Sequence, residues 1–333
     1  VKCPLNLLFC KNCTLIQLSH IAPQELMYRR FYWYKSGVTK TMRDGLKELY
    51  IASLKHIKLE KKDTVLDIGA NDGTLLKYYQ KNYTTIGCEP AKNLIKSLKK
   101  NCKFVLDNFW SYKNLYKIIK DNDIQKPKII TAIGMFYDLE NPNKFIKDAA
   151  LSLHDNGIFI AQLMTLKAMI DKNDIGNICH EHIEFYSLKS LKYLFENNGL
   201  EIFKIEENEI NGGSYRIYCR KYNKGSIKLK KENVESMMKK FVKRVKENKK
   251  QMIDFIIKQK KINKNIFLYG ASTKGNTLLQ YYKLDYNIIP YAAERSPEKW
   301  GKYTVGTGIK IVSEKFSGKS RMERHRMIYE ALG

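Results

Sequence analysis

Thr64-Val-Leu-Asp-Ile-Gly-Ala-Asn-Asp-Gly-Thr-Leu-Leu76 reads as a strand, a tight turn and the start of a helix. The apolar run Thr64–Ile68 suits a strand covered on both faces. Gly69 and Gly73 let the backbone turn sharply and come close to a ligand. Their Gly-x-x-x-Gly spacing is not the Gly-x-Gly-x-x-Gly of dinucleotide sites. Outward from this loop, further strands are expected at 84–88, 103–107, 128–133 and 157–163, with helical patterns between them. That alternation predicts a mainly parallel sheet with helices on both faces. A hairpin is expected from Leu200–Ile210 and Ser214–Arg220, turned at Asn211-Gly212-Gly213.

Acid-x-Gly-x-x-x-Gly resembles the first motif of class I S-adenosylmethionine-dependent methyltransferases. The acids Asp67, Glu89 and Asp107 come in order at or near three successive strand ends. A carboxylate at the end of the second strand suits a pair of ribose hydroxyls. The resemblance implies that Asp67 lies near the methionine portion, Glu89 reads the ribose, and Asp107 and Asn108 border the adenine. Gly69, Asn71 and Gly73 complete the expected cofactor set. Another nucleotide-binding α/β protein with a glycine turn is the competing reading.

Asn177-Ile-Cys-His-Glu-His-Ile-Glu-Phe-Tyr-Ser187 gathers two His and two Glu into five positions. His180-Glu181-His182 lacks the i, i+4 spacing of a zinc helix. Acid–base chemistry is the alternative, because an adjacent carboxylate orients a histidine that titrates near neutrality. A cluster of core or capping histidines is the third reading.

With these motifs in place the chain resembles the C-methyltransferases of nucleotide-linked keto-deoxysugars, over residues 4–314. The likeness rests on Pro4–Leu18, Ser36-Gly37, Val65–Leu75, Met135-Phe-Tyr-Asp-Leu139 and Asn177–Ser187. It extends through Asn211-Gly-Gly-Ser214, Tyr269-Gly-Ala-Ser-Thr-Lys-Gly-Asn276 and Glu294–Gly301. It implies an α/β class I methyltransferase core, a second and smaller Rossmann-like domain, and a partial zinc-ribbon-like N-terminal segment. It also implies that Glu181 and His182 supply the base, with His180 beside them and an active-site tyrosine at Tyr34 or Tyr32. Cys179 stands where relatives often carry Tyr. An O- or N-methyltransferase, or a non-catalytic fragment, is the alternative function.

Cys10-x-x-Cys13 is half of a structural zinc site. The family carries two such pairs, so an upstream pair is expected to precede Val1. The Tyr269–Asn276 turn follows a strand and opens a helix. Its amides with Ser272, Lys274 and Asn276 are expected to meet a substrate diphosphate, a structural glycine turn being the alternative.

The net charge is +26, with 50 Lys and 10 Arg. Residues 224–264 hold 15 basic and 4 acidic residues along an amphipathic pattern expected to form one long helix over 226–262. Phosphate readers favour clustered Arg with interleaved aromatics, so a solvated surface is expected rather than a nucleic-acid interface. No apolar run is long enough for a membrane helix. Seven scattered cysteines point to reduced thiols and a cytoplasmic setting.

The expected divisions are 1–60, 61–222, 223–264, 265–314 and 315–333. The last resembles the end of the BolA family over about 20 residues, below the roughly 40 that a core requires. It is expected to be foreign to the fold.

Overall fold

The computed structural model describes residues 3–294, 296–312, 320, 322–323 and 326. They form two compact units. The first holds the chain up to Lys172 together with His180–Met238. The second holds Asn173–Cys179 and the chain from Lys239 onward.

The first unit opens with a short hairpin, β1 (Leu7–Phe9) and β2 (Ile16–Leu18), followed by α1 (Lys40–Leu54). The central strand β3 (Thr64–Ile68) is buried at every position, as its apolar run requires. Then come α2 (Leu76–Tyr79), β4 (Thr84–Cys88), α3 (Ile95–Asn101), β5 (Phe104–Leu106) and α4 (Tyr112–Asp121). They are followed by β6 (Ile129–Ile133), α5 (Pro142–Ser152), β7 (Ile158–Met164) and α6 (Leu166–Asp171). After β8 (Glu184–Phe185) and α7 (Leu188–Asn197), β9 (Leu200–Asn208) and β10 (Ser214–Lys221) make the expected hairpin.

The main sheet runs β5-β4-β3-β6-β7-β10-β9. Strands β3 to β7 are parallel, and β10 enters antiparallel between β7 and β9. This is the seven-strand order of class I methyltransferases. The chain steps from β3 outward to β5, then returns to β6 on the other side. The crevice beyond the ends of β3 and β6 is therefore the switch point where such sheets take ligands. The glycine loop leaves β3 there and Met135–Leu139 leaves β6.

Phe136 anchors that second loop. It is fully buried and packs against Phe145, Phe195 and Tyr186, with ring centroids 5.5–5.7 Å away. Truncating such a side chain costs about 3–5 kcal/mol, so the loop is firmly held.

A three-residue-strand hairpin was not expected at the N-terminus, because its strands are too short to show a period. It pairs with β8 through Ile16–Phe185 and Gln17–Glu184. The segment just after His180-Glu181-His182 thereby becomes the edge of a three-stranded sheet.

In the second unit, β11 (Phe267–Tyr269), β12 (Tyr291–Ala293) and β13 (Lys310–Val312) form a parallel sheet, with α9 (Thr273–Tyr282) between β11 and β12. Its core is Leu279, Leu284, Ile289, Ala292, Ile309 and Ile311 with Ile256. The long helix α8 (Val234–Lys261) starts eight residues later than its sequence pattern suggested. It buries Val234, Phe241, Val245 and Ile256, and its lysines lie mostly on the other face. Among the described residues, no helix is long and apolar enough to cross a membrane. Of the tail expected to be foreign, only Ser320, Met322, Glu323 and Arg326 are described, all exposed; the rest lies outside the described residues.

Candidate functional site

Gly69 and Gly73 hold φ of 72° and 80°. A Cβ on Gly69 would stand 2.7 Å from Met135 Cγ, and one on Gly73 2.7 Å from Asn101 Cβ. Glycine is thus demanded both by conformation and by space. The amides of Gly69 and Ala70 both donate to the Cys88 carbonyl, which ties the loop to β4.

Asp67, inside β3, is buried and accepts the Thr131 hydroxyl from β6 at 2.6 Å. Burial pushes its carboxyl up to about 7. Glu89, just past β4, is buried and accepts the amides of Asn71 and Ala91, each at 2.8 Å. Burial raises its pKa and the two amides oppose the rise. Asp107, just past β5, is exposed, and Arg29 Nη1 meets its carboxylate at 2.9 Å. The same Arg29 donates to the Pro90 carbonyl at 2.9 Å. Asn108 follows, exposed.

The segment that carries Tyr32, Tyr34 and the Ser36-Gly37 pair lies across this edge. Asn71 Oδ1 accepts the Ser36 amide and its Nδ2 donates to the Tyr34 carbonyl, both at 3.0 Å. Asp72 accepts the Gly37 amide at 2.8 Å. Asn93 exchanges two hydrogen bonds with the backbone of Tyr32, both at 3.0 Å. The Ser36-Gly37 pair was the one available signal. A Cβ on Gly37 would lie 2.8 Å from Asp72 Oδ2 and Thr74 Oγ1, so the chain passes too close for a side chain.

The His-Glu-His loop is fixed from three directions. The Ile183 amide donates to the Tyr137 carbonyl at 2.8 Å. The Leu18 amide donates to the Ile183 carbonyl at 2.8 Å. The Tyr28 hydroxyl donates to the Glu181 carbonyl at 2.9 Å. His180 Nε2 lies 3.0 Å from the Cys3 carbonyl oxygen, so a proton there ties it to the segment before β1. The His182 ring stands edge-on to Tyr137, centroids 4.7 Å apart. Burial raises the carboxyls of Glu181, Glu184 and Asp138.

Tyr32 joins the two halves. Its hydroxyl is held above the usual phenol range by burial, then by Asp138, Glu181 and Glu89. One hydroxyl therefore feels both the acid of the glycine-loop edge and the acid of the His-Glu-His loop. Tyr34 is exposed, and the carboxylate that acts on it after burial is Asp72. Of the two tyrosines, Tyr32 packs its ring 5.6 Å from that of Tyr28, whose hydroxyl reaches the His-Glu-His loop, and Tyr34 lies beside the glycine loop.

In the second unit, Ser272 caps α9 by accepting the Gly275 amide at 3.1 Å. The Asn276 amide closes the first turn on the Ser272 carbonyl. Lys274 donates to Asn177 Oδ1 and lies 3.7 Å from Asp174. Asn177 and Asp174 were not foreseen as its partners.

Residues 34–205 match the family described as "Methyltransferase domain", about half of the chain. The chain belongs to that family. Residues 209–322 match the C-methyltransferase C-terminal domain, a match that runs into the segment set apart above as foreign. C-methyltransferase NovU of Streptomyces niveus is 21% identical over 323 residues, covering 93% of this chain and 76% of that protein. Among solved structures, magnesium protoporphyrin IX methyltransferase from Synechocystis PCC 6803 with bound SAH is 11% identical. That match covers 57% of this chain and 90% of the other, with a TM-score of 0.42. An S-adenosylmethionine-dependent methyltransferase from Clostridium acetobutylicum is 10% identical, covering 56% and 94%, with a TM-score of 0.41.

This is an S-adenosylmethionine-dependent methyltransferase, and its glycine-loop edge fits that cofactor. The loop is a cradle that any Cβ would obstruct, and the buried Glu89 beside it is an acceptor for hydroxyl donors. The N-terminal cysteines are a different case. Cys10 and Cys13 bracket the turn between β1 and β2, and the Thr14 amide donates to the Cys10 carbonyl at 2.9 Å. Hydrogen bonds from the Cys13 and Asn12 amides and the Cys13 thiol lower the Cys10 thiol, while burial raises that of Cys13. Among the described residues no third ligand atom joins the pair. Two thiols do not complete the tetrahedral shell of a structural zinc.

Proposed function

We propose that this methyltransferase forms a carbon–carbon bond on a nucleotide-linked keto-deoxysugar, with a base-generated enolate as the nucleophile. The observation that carries the reading is that one N-terminal segment touches both loops: Tyr28 donates to the Glu181 carbonyl, while the Ser36 amide and the Tyr34 carbonyl meet Asn71. It joins the glycine-loop edge and the acid–base loop in one site of the first unit. The match to a C-methyltransferase C-terminal domain and the relative named C-methyltransferase NovU support carbon as the acceptor.

In this reading the turn at Gly69, Asn71 and Gly73 holds the cofactor, with Asp67 toward its methionine portion. Glu89 takes the ribose hydroxyls, and Asp107 with Asn108 borders the adenine. S-adenosylmethionine, when bound, supplies an electrophilic methyl group. His182 removes the proton on the carbon beside the ketone, and Glu181 supports the imidazolium that results. The electron pair of that C–H bond passes into an enolate, whose oxygen the Tyr32 hydroxyl would meet in this reading. A base and an acceptor carbon held in one site gain most of their rate from proximity. Within the second unit taken by itself, the Ser272–Asn276 turn is a proposed phosphate contact. Lys274 would then exchange Asn177 and Asp174 for phosphate oxygens.

Solvent-deuterium exchange beside the ketone, with S-adenosylhomocysteine present, tests the mechanism. Exchange is expected in the wild type and is expected to be lost in His182→Ala, along with methyl transfer, while calorimetric cofactor binding stays within about twofold. Wild-type turnover in His182→Ala would remove the base assignment. Methyl transfer without any exchange would point to oxygen or nitrogen as the acceptor.

A further inference from the structure

Arg29 ends a single π-helical turn, Glu25–Arg29, in which no residue is buried. Wide turns of this kind are rare and often sit at functional sites. With no buried side chain of its own, the turn is located by polar contacts. The Lys92 amide donates to the Arg29 carbonyl at 3.2 Å. Arg29 Nη1 faces three oxygens: the Pro90 carbonyl at 2.9 Å, the Asp107 carbonyl at 3.2 Å and Asp107 Oδ1 at 2.9 Å.

Those oxygens belong to two different loops. Strands β4 and β5 pair as far as Cys88 and Leu106, and the Glu89 amide adds a bond to the Leu106 carbonyl at 3.0 Å. One residue further along each chain, Arg29 Nη1 spans from Pro90 to Asp107. Pro90 follows Glu89, the acid assigned to the ribose, and Asp107 is the acid assigned to the adenine. Three oxygens of one sign converge there, and a guanidinium, always charged and with N–H groups in fixed directions, satisfies them together. The Arg29 and Asp107 side chains are 20% and 49% exposed. An ion pair that open to water adds little to the stability of the whole fold, so its effect is local.

We propose that Arg29 is a positioning residue for the adenosine end of the cofactor. It acts through the Pro90 carbonyl and Asp107, holding the loops after β4 and β5 at one spacing and the Asp107 carboxylate in one orientation before the cofactor arrives. The proposal rests on the assignment of Asp107 to the adenine given above. A site held in its binding geometry loses less freedom when it is filled. Removal of Arg29 therefore weakens binding and leaves the fold intact.

Calorimetry on the full chain with S-adenosylhomocysteine tests this in Arg29→Met, Asp107→Ala and the double variant. Methionine keeps an unbranched stem and has no donor. Each single change should weaken binding at least about tenfold, and the double variant should stay within about threefold of Asp107→Ala, because both act on one contact. Arg30→Met removes the same charge at the exposed next position and should stay within about twofold. S-adenosylmethionine carries one more positive charge than S-adenosylhomocysteine. Loss of a mere field at Arg29 would favour S-adenosylmethionine, whereas lost positioning weakens both, and 5′-methylthioadenosine, by the same factor. In the free protein, amide hydrogen exchange over 90–94 and 107–109 should quicken in Arg29→Met, with the melting temperature within about 2 °C of wild type. If Asp107→Ala loses affinity and Arg29→Met stays within about twofold, the proposal alone falls. If Asp107→Ala stays within about twofold, the adenine assignment falls and takes the proposal with it. Losses that multiply in the double variant, a selective gain for S-adenosylmethionine, or a melting temperature lower by several degrees would each overturn it as well.

Discussion

The loops at Gly69–Gly73 and Gly270–Gly275 are built alike. Each leaves a parallel strand and opens a helix, and each is met by an acid from the end of the next strand. Glu89 accepts the amides of Asn71 and Ala91 at 2.8 Å. Glu294 accepts those of Ala271 and Ser296 at 2.9 and 3.1 Å. They differ in what balances the acid. Lys299 lies 3.5 Å from Glu294, whereas among the described residues no cation pairs with Glu89. They differ also in crowding: a Cβ on Gly69 would collide with Met135, but one on Gly270 would meet nothing within 4 Å. A shared loop shape therefore does not specify a shared task. A compensated acid in an open turn ties two segments together. An uncompensated acid in a crowded one stays available to hydroxyl donors.

The largest expected effect tests that contrast directly. Glu89→Ala should weaken S-adenosylhomocysteine binding at least tenfold, about 1.4 kcal/mol or more, by calorimetry. Glu294→Ala should leave that affinity within about twofold and lower the melting temperature by a few degrees. Equal loss of affinity in both variants would break the distinction. The glycines sharpen it. Gly69→Ala adds both a left-handed strain and a 2.7 Å contact, so a loss of about 2 kcal/mol or more in urea unfolding is expected. Gly270→Ala adds strain alone, with a loss of about 1 kcal/mol.

The smallest effect concerns an acid that belongs to neither loop. Glu201, at the start of β9, is fully inaccessible, yet its pKa is lowered to about 2. Burial opposes the charge, but the Asn223 amide, Arg220 and the amides of Lys224 and Gly225 together outweigh it. A depressed carboxyl lends stability that is complete above its unfolded value near 4.5 and is lost as pH falls toward 2. Thermal melts of Glu201→Gln should therefore show a lower melting temperature near neutrality and a shallower decline across that acid window. An unchanged acid slope would mean that the charge is not used.

Legibility followed distance along the chain. Strands 64–68 and 84–88 could be read to the residue, because apolar runs bounded by a glycine turn or Pro90 leave little choice. Helix α9 begins at Thr273, although its apolar pattern is evident only from Thr277; Ser272, three residues before Gly275, was the capping signal that marks the true start. The hairpin at Leu7–Phe9 and Ile16–Leu18 had no readable period, since three residues per strand are too few to establish alternation.

The sequence by itself determined the sheet, the glycine loop and the acid that follows it, because each is set by local backbone geometry and by spacing within one strand-turn-helix unit. It also marked His180-Glu181-His182 as a concentration of ionisable groups. Only the tertiary structure decided which groups face one another. Asn71 meets Ser36 and Tyr34 across some thirty-five positions. Tyr28 reaches Glu181 across 153, and Lys274 reaches Asn177 across 97. Hydrogen bonds of that span leave no periodicity in one chain, since side chains of many types can satisfy the same partner. Burial is likewise a property of the packed fold, and it is burial that raises Asp138 and Glu181.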